Sequence, residues 1–592
     1  MKYWNSKNQP IGWLLFCFIS VFTFSCAPDM ELNDRIRLNQ IGFYPTEVKK
    51  AVVVGENGKG TFSIRNAQNK RKVFSGNLSE PRQSDFSDKI TYVMDFSELT
   101  TPGEYYLEIP EVGKSYTFSI KDSLFTDLAK AALKGFYYQR SGTLINEKYA
   151  GQWHRPRAHP DTEVFIHASA ATEKRPEGTV IVSQKGWYDA GDYNKYIVNS
   201  GFTVGVLHAL YEDYPDYVMQ LSVNIPESRR GVPDLLFEVY WNVAWMMTMQ
   251  DPNDGGVYHK LTSPSFEGFI KPVECEKPRY VVAKSVTATL DFAASMAQAS
   301  RMYAAYQGVF LGIDRTILKY AERAFEWAVK NPDKFYNQNQ MNEKYEPAVS
   351  TGAYGDRNAN DEFFWAATEL YIATGKPIYL EAIKKYMPKE FILPVWSRVS
   401  GLGNLAIIRH SDKFEDESIP RLMKEQLMAY VDSTLIDYEA SSYAAPYGRS
   451  AKDFFWGCNS DAASNQGMTL LTAYRLTGDE KYMKAALQTM DYILGRNATG
   501  YCYITGFGSK YPMHPHHRLS ATDDIDGPLP GLLIGGPNPG KQDGCEYPSD
   551  IPDECYIDEL DSYASNEMAI NWQGLFTYFA SALDASIANS VK

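Results

Sequence analysis

At about Ser123 the apolar pattern of this chain changes period, and that change limits the folds open to it. Before it, short β-branched or alternating runs recur: 51-AVVVG-55, 61-TFSIR-65, 90-ITYVMDF-96, 105-YYLEI-109 and 116-YTFSI-120, with Gly, Asn and Pro between them. Pro102-Gly103 reads as a turn into the strand that follows. Regular short strands predict a small sandwich over 35–121. After it, helical period runs through 124–142, 234–250, 284–306, 316–330, 361–375 and 480–495, and several of these end in Gly or Asn, as helix stops do. We expect at least eight helices and no strand run in this part. So many apolar helix faces need a closed arrangement, and paired helices wrapped into a toroid supply one. The segments between helices are long and rich in Gly, Pro and aromatics, where function usually sits.

A chain of 592 residues exceeds one ordinary core, so at least two domains are expected. A net charge of −13, without a long basic run, argues against a nucleic-acid partner. Aromatic content of 14% suits stacking on sugar rings, although rings also fill cores. The N-terminus is a targeting segment. Lys2 and Lys7 precede the apolar run Ile11 to Phe24, too short to span a bilayer, so residues 1–25 read as a signal peptide. Ser25-Cys26 resembles a bacterial lipoprotein box, with Thr23 and Phe24 departing from it. Cys26 then carries lipid, residues 26–34 form an acidic solvated tether, and the protein is a monomer on the outer membrane of a Gram-negative bacterium. Cell-surface exposure is the first reading and a periplasmic face the alternative; ordinary secretory cleavage is the rival. Five cysteines remain, Cys275, Cys458, Cys502, Cys545 and Cys555, so at least one thiol is free. Cys545 and Cys555 are near enough in sequence to close a loop.

Three stretches carry candidate chemistry. In 186-GWYDAGDYNKY-196, Asp189 and Asp192 sit on a glycine turn walled by rings, which fits either a sugar site with a carboxylate base or an acidic surface turn. In 563-YASNEMAINWQ-573, Glu567 opens a helical pattern, so it reads as a general acid with a raised pKa or as a helix N-terminal acid. In 503-YITGFGSKYPMHPHHRLS-520, His514, His516, His517 and Arg518 share a Gly/Pro loop. Their spacing is poor for one metal and suits hydrogen bonding to hydroxyls.

Asp-Ala-Gly-Asp, Pro-His-His-Arg and Tyr-x-x-Asn-Glu, with 255-GGVYHKLT-262, 284-KSVTATLDFAAS-295, 456-WGCNS-460 and 535-GGPN-538, together resemble glycoside hydrolase family 9. The segment opening 35-RIRLNQIGFYP-45 resembles the immunoglobulin-like module of one branch. The resemblance implies an (α/α)6 barrel over 122–592 and inverting hydrolysis of β-1,4-glucans such as cellulose, mixed-linkage glucan or xyloglucan. It implies Asp192 as general base, Asp189 as a holder of the attacking water and Glu567 as general acid, with room for that water between acid and base. We expect Asp192 to have a low pKa, helped by peptide donors of its turn. For Glu567 we expect a high one, helped by a ring such as Tyr563. His516 and Arg518 match positions that grip sugar hydroxyls, and Trp456, Tyr258, His259 and Trp187 are candidates for stacking or cleft lining. The branch's zinc site uses cysteines where this chain has Ser141 and Ala158, which argues against zinc. The family's calcium pair matches Asp361-Glu362, but 395-VWSRVSGLG-403 supplies no later acid, and a helix N-terminus explains the pair equally. No cofactor is required. The expected activity is endo-hydrolysis; the alternatives are exo-action on chain ends or oligosaccharides, and a catalytically weak surface glycan-binding lipoprotein.

Overall fold

The computed structural model describes residues 30–55, 60–84, 86–448, 450–456, 459 and 463–590. The signal peptide and Cys26 lie outside the described residues, as do Gly457, Cys458 and Ser460 of the 456–460 motif.

The N-terminal unit is a sandwich of two sheets. Strands β1 (Ile36–Arg37), β3 (Lys50–Val54), β7 (Ser87–Asp95) and β6 (Arg82–Ser84) form one sheet in that order. The other runs β2 (Gly42–Phe43), β10 (Phe118–Ile120), β8 (Gly103–Ile109), β4 (Thr61–Asn66) and β5 (Lys72–Asn77), with β9 (Gly113–Lys114) on β8. Alternation works as expected: Phe62 and Ile64 of β4 point inward with Phe43, Met94, Leu107 and Phe118. The tether differs from expectation in its second half. Leu32 bridges Lys114, and the Asn33 side-chain amide donates to Val112 O at 2.8 Å. Backbone pairing to the free edge of β9 draws Glu31 to Asn33 onto the sandwich instead of leaving them in solvent.

Beyond Ser123, twelve helices of ten or more residues follow among the described residues. They are α1 (Thr126–Gln139), α2 (Ile197–Asp213), α3 (Asp234–Thr248), α4 (Val286–Ala304), α5 (Ile313–Lys330) and α6 (Asn360–Thr374). The rest are α7 (Pro377–Tyr386), α8 (Ser400–Arg409), α9 (Ser418–Thr434), α10 (Ser464–Thr477), α11 (Glu480–Ile493) and α12 (Ile570–Ser590). Odd-numbered helices lie outside and even-numbered ones inside. On α5 only the stripe Ile317, Ala321, Ala324, Phe325, Ala328 is buried, together with Trp327. On α4 nearly every residue is buried, and its small side chains let neighbours close in. A Cβ on Gly205 of α2 would stand 2.5 Å from the Trp365 ring of α6, so the close approach requires glycine there. The inner ring closes with α12 packed on α2, α1 and α10.

The expectation of no strands in this part is corrected. Five short strands, β11 (Val164–Ile166), β12 (Val180–Ile181), β13 (Lys195–Tyr196), β14 (Lys260–Thr262) and β15 (Arg279–Val281), form a sheet ordered β12-β11-β15-β14-β13. Two- and three-residue strands carry too little alternation to show as a period. Cys545 and Cys555 are both free thiols, so the loop closure read from their spacing does not occur; Cys555 Sγ instead donates to Ser549 O at 3.2 Å.

Candidate active site

The inner helices begin on one face of the barrel, and the long loops before them meet there. The turn 189–194 runs into β13 and then α2, while Glu567 stands three residues before α12. Backbone bonds join the two. Ile570 N donates to Asp189 O at 2.8 Å, and Asp189 N to Asn194 O at 3.0 Å. The side-chain amide of Gln139 holds Ala190 O at 3.1 Å, and Arg518 holds Gly191 O through Nη1 at 2.9 Å and its own backbone N–H at 3.0 Å. Arg279 Nη1 donates to Tyr193 O at 2.8 Å. So many fixed carbonyls make the turn rigid.

Gly191 is required by proximity. Its N–H donates to Glu567 Oε1 at 3.0 Å, and a Cβ there would stand 2.0 Å from His516 O. The candidate acid is therefore seated against the residue that precedes the candidate base. Because Oε1 accepts this bond, the proton of a neutral Glu567 belongs on Oε2, free to be given away.

Asp192 Oδ2 accepts from Asn194 Nδ2 at 2.5 Å, from Tyr196 OH at 3.2 Å and from Asn194 N at 3.3 Å. Asp189 accepts from Asn199 Nδ2 and Tyr354 OH, both at 2.7 Å. All three carboxyls lie in a buried site. Burial, then the charge of Asp192, pushes Glu567 up to about 8 and Asp189 likewise to about 8. The expected low pKa for Asp192 is corrected: burial raises it above the usual carboxylate range despite Asn194, Arg518 and Tyr196. The donors are mainly side chains, not the peptide groups we expected. Asp192 has more of them than Asp189, so it is the first of the coupled pair to ionise. For Glu567, burial in the site and repulsion from Asp192 raise the pKa, not the Tyr563 ring.

The other candidates divide by position. His516 Nδ1 donates to Leu560 O at 2.7 Å, and burial pushes its pKa down to about 4, so the neutral ring presents Nε2 as an acceptor. Tyr563 sits edge-on to His516, 37% exposed, its hydroxyl on Gln542 O. Trp456 is 42% exposed. These three surfaces are open to a ligand. Arg518 differs from expectation: beyond Gly191 O it bonds Glu267 O at 3.0 Å and packs on Phe269, which makes it a brace between the turn and the 266–269 loop. His517 is buried between Ser520 Oγ and Gln139 Oε1.

Trp187, Tyr258 and His259 are not cleft residues. All three are fully buried: Trp187 donates to Glu238 at 2.9 Å, the Tyr258 hydroxyl lies between Arg175 and Asp251, and His259 bonds Ser285 Oγ and Ala353 O. An aromatic beside a motif is read as lining from sequence, whereas the inner wall of the barrel has as many apolar positions as its mouth. Missed instead were Asn194, Asn199, Tyr354 and Gln139. Asp192-x-Asn194 carried a local signal, since Asn commonly bonds a neighbour two residues away. Tyr354 had none beyond its place in the glycine-flanked 352-GAYG-355.

Asp361 Oδ2 accepts from Val399 N at 2.8 Å, which ties the first turn of α6 to the residue before α8. Glu362 and Asp291 are buried beside it with unpartnered oxygens, and burial raises both. Among the described residues no three His, Cys, Asp or Glu converge as a metal-binding set. At the position of the branch's zinc site, Ser141 Oγ donates to Lys185 O at 2.9 Å and His159 Nδ1 meets Tyr188 OH at 2.8 Å, so hydrogen bonds tie the segments together.

The sequence matches the family model described as Glycosyl hydrolase family 9 over residues 125–580, and the Cellulase N-terminal ig-like domain over 31–114. The chain belongs to glycosyl hydrolase family 9. It is 52% identical over 583 residues to a xyloglucan-specific endo-beta-1,4-glucanase of Bacteroides ovatus, covering 98% of this chain and 99% of that protein. It is 31% identical over 558 residues to Endoglucanase D of Acetivibrio thermocellus, covering 93% and 83%. The solved structure titled "Bacteroides ovatus GH9" matches with a TM-score of 0.89 and 51% identity, over 94% of this chain and 100% of that one. A metagenome-derived family 9 endoglucanase matches with a TM-score of 0.84 and 31% identity, over 93% and 99%. As a family 9 member the chain is an Ig-like sandwich followed by an (α/α)6 barrel, and it is a glycosidase.

Proposed function

We propose that this protein is an inverting endo-β-1,4-glucanase whose preferred polymer is xyloglucan. The observation that carries the chemistry is the Gly191 N–H to Glu567 contact, which seats a neutral carboxyl against the turn bearing Asp192. In this reading Asp192 takes a proton from water through Oδ1, since Oδ2 is occupied by Asn194 and Tyr196. Asp189 steadies that water. Glu567 gives its Oε2 proton to the leaving glycosidic oxygen as the water attacks from the opposite face, so configuration inverts. His516 Nε2 accepts from a sugar hydroxyl, and Tyr563 and Trp456 offer ring faces to the apolar faces of glucosyl units. The preference for xyloglucan rests on the 52% identical relative.

Both proton transfers and the water-holding role are filled by carboxylates, so the reaction needs no metal; Asp361-Glu362 stays a candidate calcium pair for stability only. The apolar run before Cys26 supports export and a lipid anchor on the outer membrane, with the protein acting as a monomer. The sandwich begins pairing at Glu31, so such an anchor holds the enzyme close to its bilayer.

The test is product analysis of the protein lacking residues 1–26 on xyloglucan, mixed-linkage glucan and carboxymethylcellulose. We expect a rapid fall in viscosity with mixed-length products, fastest on xyloglucan and absent in Glu567→Gln. Slow release of one short sugar at constant viscosity contradicts endo-action, and binding without products contradicts catalysis.

A further inference from the structure

The site holds three carboxyl groups, and its described cations are few. Arg518 faces backbone carbonyls. Arg279 is paired with Asp161, and a further cation is Lys260 of β14, in the stretch 255-GGVYHKLT-262, which the proposed chemistry does not use. Lys260 is fully buried, and among the described residues no carboxylate lies within ion-pair distance of it. Its three ammonium protons go to neutral oxygens: Gln338 Oε1 at 2.7 Å, Gly352 O at 2.7 Å and Thr351 Oγ1 at 3.0 Å. Burying an unpaired ammonium is costly. An unpaired one beside two coupled acids calls for a role.

Two routes lead from it to Asp192. Lys260 is the cross-strand partner of Tyr196 in the β13–β14 register, and its Nζ lies 5.5 Å from the Tyr196 ring centroid. A cation over a phenol ring makes its O–H a stronger donor, and that O–H points to Asp192 Oδ2 at 3.2 Å. The second route is a chain of hydrogen bonds. Thr351 Oγ1 accepts from Lys260 and meets Thr262 Oγ1 at 2.6 Å; Thr262 Oγ1 lies 2.8 Å from Ser263 O and 3.2 Å from Asn194 Oδ1. Ser263 N–H also holds Asn194 Oδ1 at 2.9 Å. With Oδ1 fixed, Asn194 must turn Nδ2 towards Asp192 Oδ2, at 2.5 Å. Hydrogen bonds linked in this way polarise one another.

We propose that Lys260 is a second buried counter-charge of the Asp192 base beside Arg518, a positioning residue that acts through Tyr196 and through Thr351, Thr262 and Asn194. The proposal rests on the reading of Asp192 as base. The charged or titratable groups facing Asp192 are Asp189, Glu567, Arg518 and Tyr196; those facing Lys260 are Asp192 and the Tyr196 and Tyr336 rings. Burial pushes Lys260 down to about 7 and the attraction of Asp192 works against that, so the ammonium is charged below about pH 7. Its donors fill Oδ2 and leave Oδ1 for water.

The experiment is kcat/KM against pH on xyloglucan for Lys260→Met, Tyr196→Phe, Thr262→Val and Thr262→Ser, with Asp192→Asn as control. Removing positive donors raises the pKa of a base. Lys260→Met and Tyr196→Phe should therefore move the acid limb up by about 1 pH unit. Their kcat should fall about tenfold with KM little changed. Thr262→Val should move the limb the same way by less, while Thr262→Ser, which keeps the hydroxyl, overlays the wild type. An acid limb that stays in place in folded Lys260→Met overturns the proposal, whatever happens to the rate. If Lys260→Met does not fold, Tyr196→Phe and Thr262→Val decide by the same criterion. Activity in Asp192→Asn above about 1% of wild type removes the base reading itself, and the proposal with it.

Discussion

Glu567 links catalysis to stability. Its carboxyl titrates at about 8 in the folded protein against 4.5 for the ordinary group. The folded state holds this proton more tightly, so the resulting stabilisation is complete below about 4.5 and is lost as pH rises through about 8. The same titration removes the general acid, so kcat should fall along a basic limb near pH 8. Glu567→Gln should lower kcat by about 100- to 10,000-fold. At pH 8 it should also melt higher than the wild type by about 1–3 °C, since a neutral amide avoids burying a charge. Calorimetry at pH 4 and pH 8 checks this, because the gap should close at the lower pH. At this scale the motif gave away the three acids, while the ionisation order within the site came from burial and donors that lie far apart in sequence.

The turn 189–194 is an element whose shape depends on one missing methyl. Gly191→Ala places a carbon where His516 O and Glu567 Oε1 already sit, at 2.0 and 2.9 Å. The His516 loop and the Glu567 carboxylate must move together, and a misplacement of about 1 Å costs on the order of 100-fold in rate. We expect kcat/KM to fall at least that far, with far-ultraviolet circular dichroism unchanged, since the turn contributes no helix. Helical period exposed α1, α3 and α4 in the sequence but not α2, although α2 follows the turn directly. Its residues Ile197 to Leu210 are buried on every side, so no polar face marks a period. Periodicity favours outer helices, which divide into wet and dry faces, although inner α4 and α6 are also legible in the sequence.

The sandwich is not an appendage. Tyr44, Val52, Val54 and Val93 belong to the barrel's hydrophobic core, and Thr91 Oγ1 reaches Ser442 O at 2.5 Å. Arg496 ties the parts together: fully buried, it bonds Asp491 at 2.9 Å, Tyr443 O at 2.9 Å and Lys50 O of the sandwich at 3.2 Å. Arg496→Met leaves Asp491 buried without its cation and should cost about 3–5 kcal/mol, read as a lower denaturation midpoint. Deleting the sandwich bares an apolar face on the barrel, so the truncated chain should lose solubility, measured as the soluble fraction after expression.

The sequence by itself determined the two-part architecture, the family and the three acids, because period, turn chemistry and spaced motifs are local properties. Only the tertiary structure decided which of the candidate rings are accessible: Trp187, Tyr258 and His259 stand beside motifs yet are buried, while Tyr563 and Trp456 are exposed. It also decided that Cys545 and Cys555 stay apart as thiols, and that Arg518 braces backbone. The same holds for Lys260, which meets Tyr196 across a strand pair between segments far apart in sequence. Burial and the direction of a side chain follow from what packs against it, and in a closed ring of helices those neighbours come from distant parts of the chain.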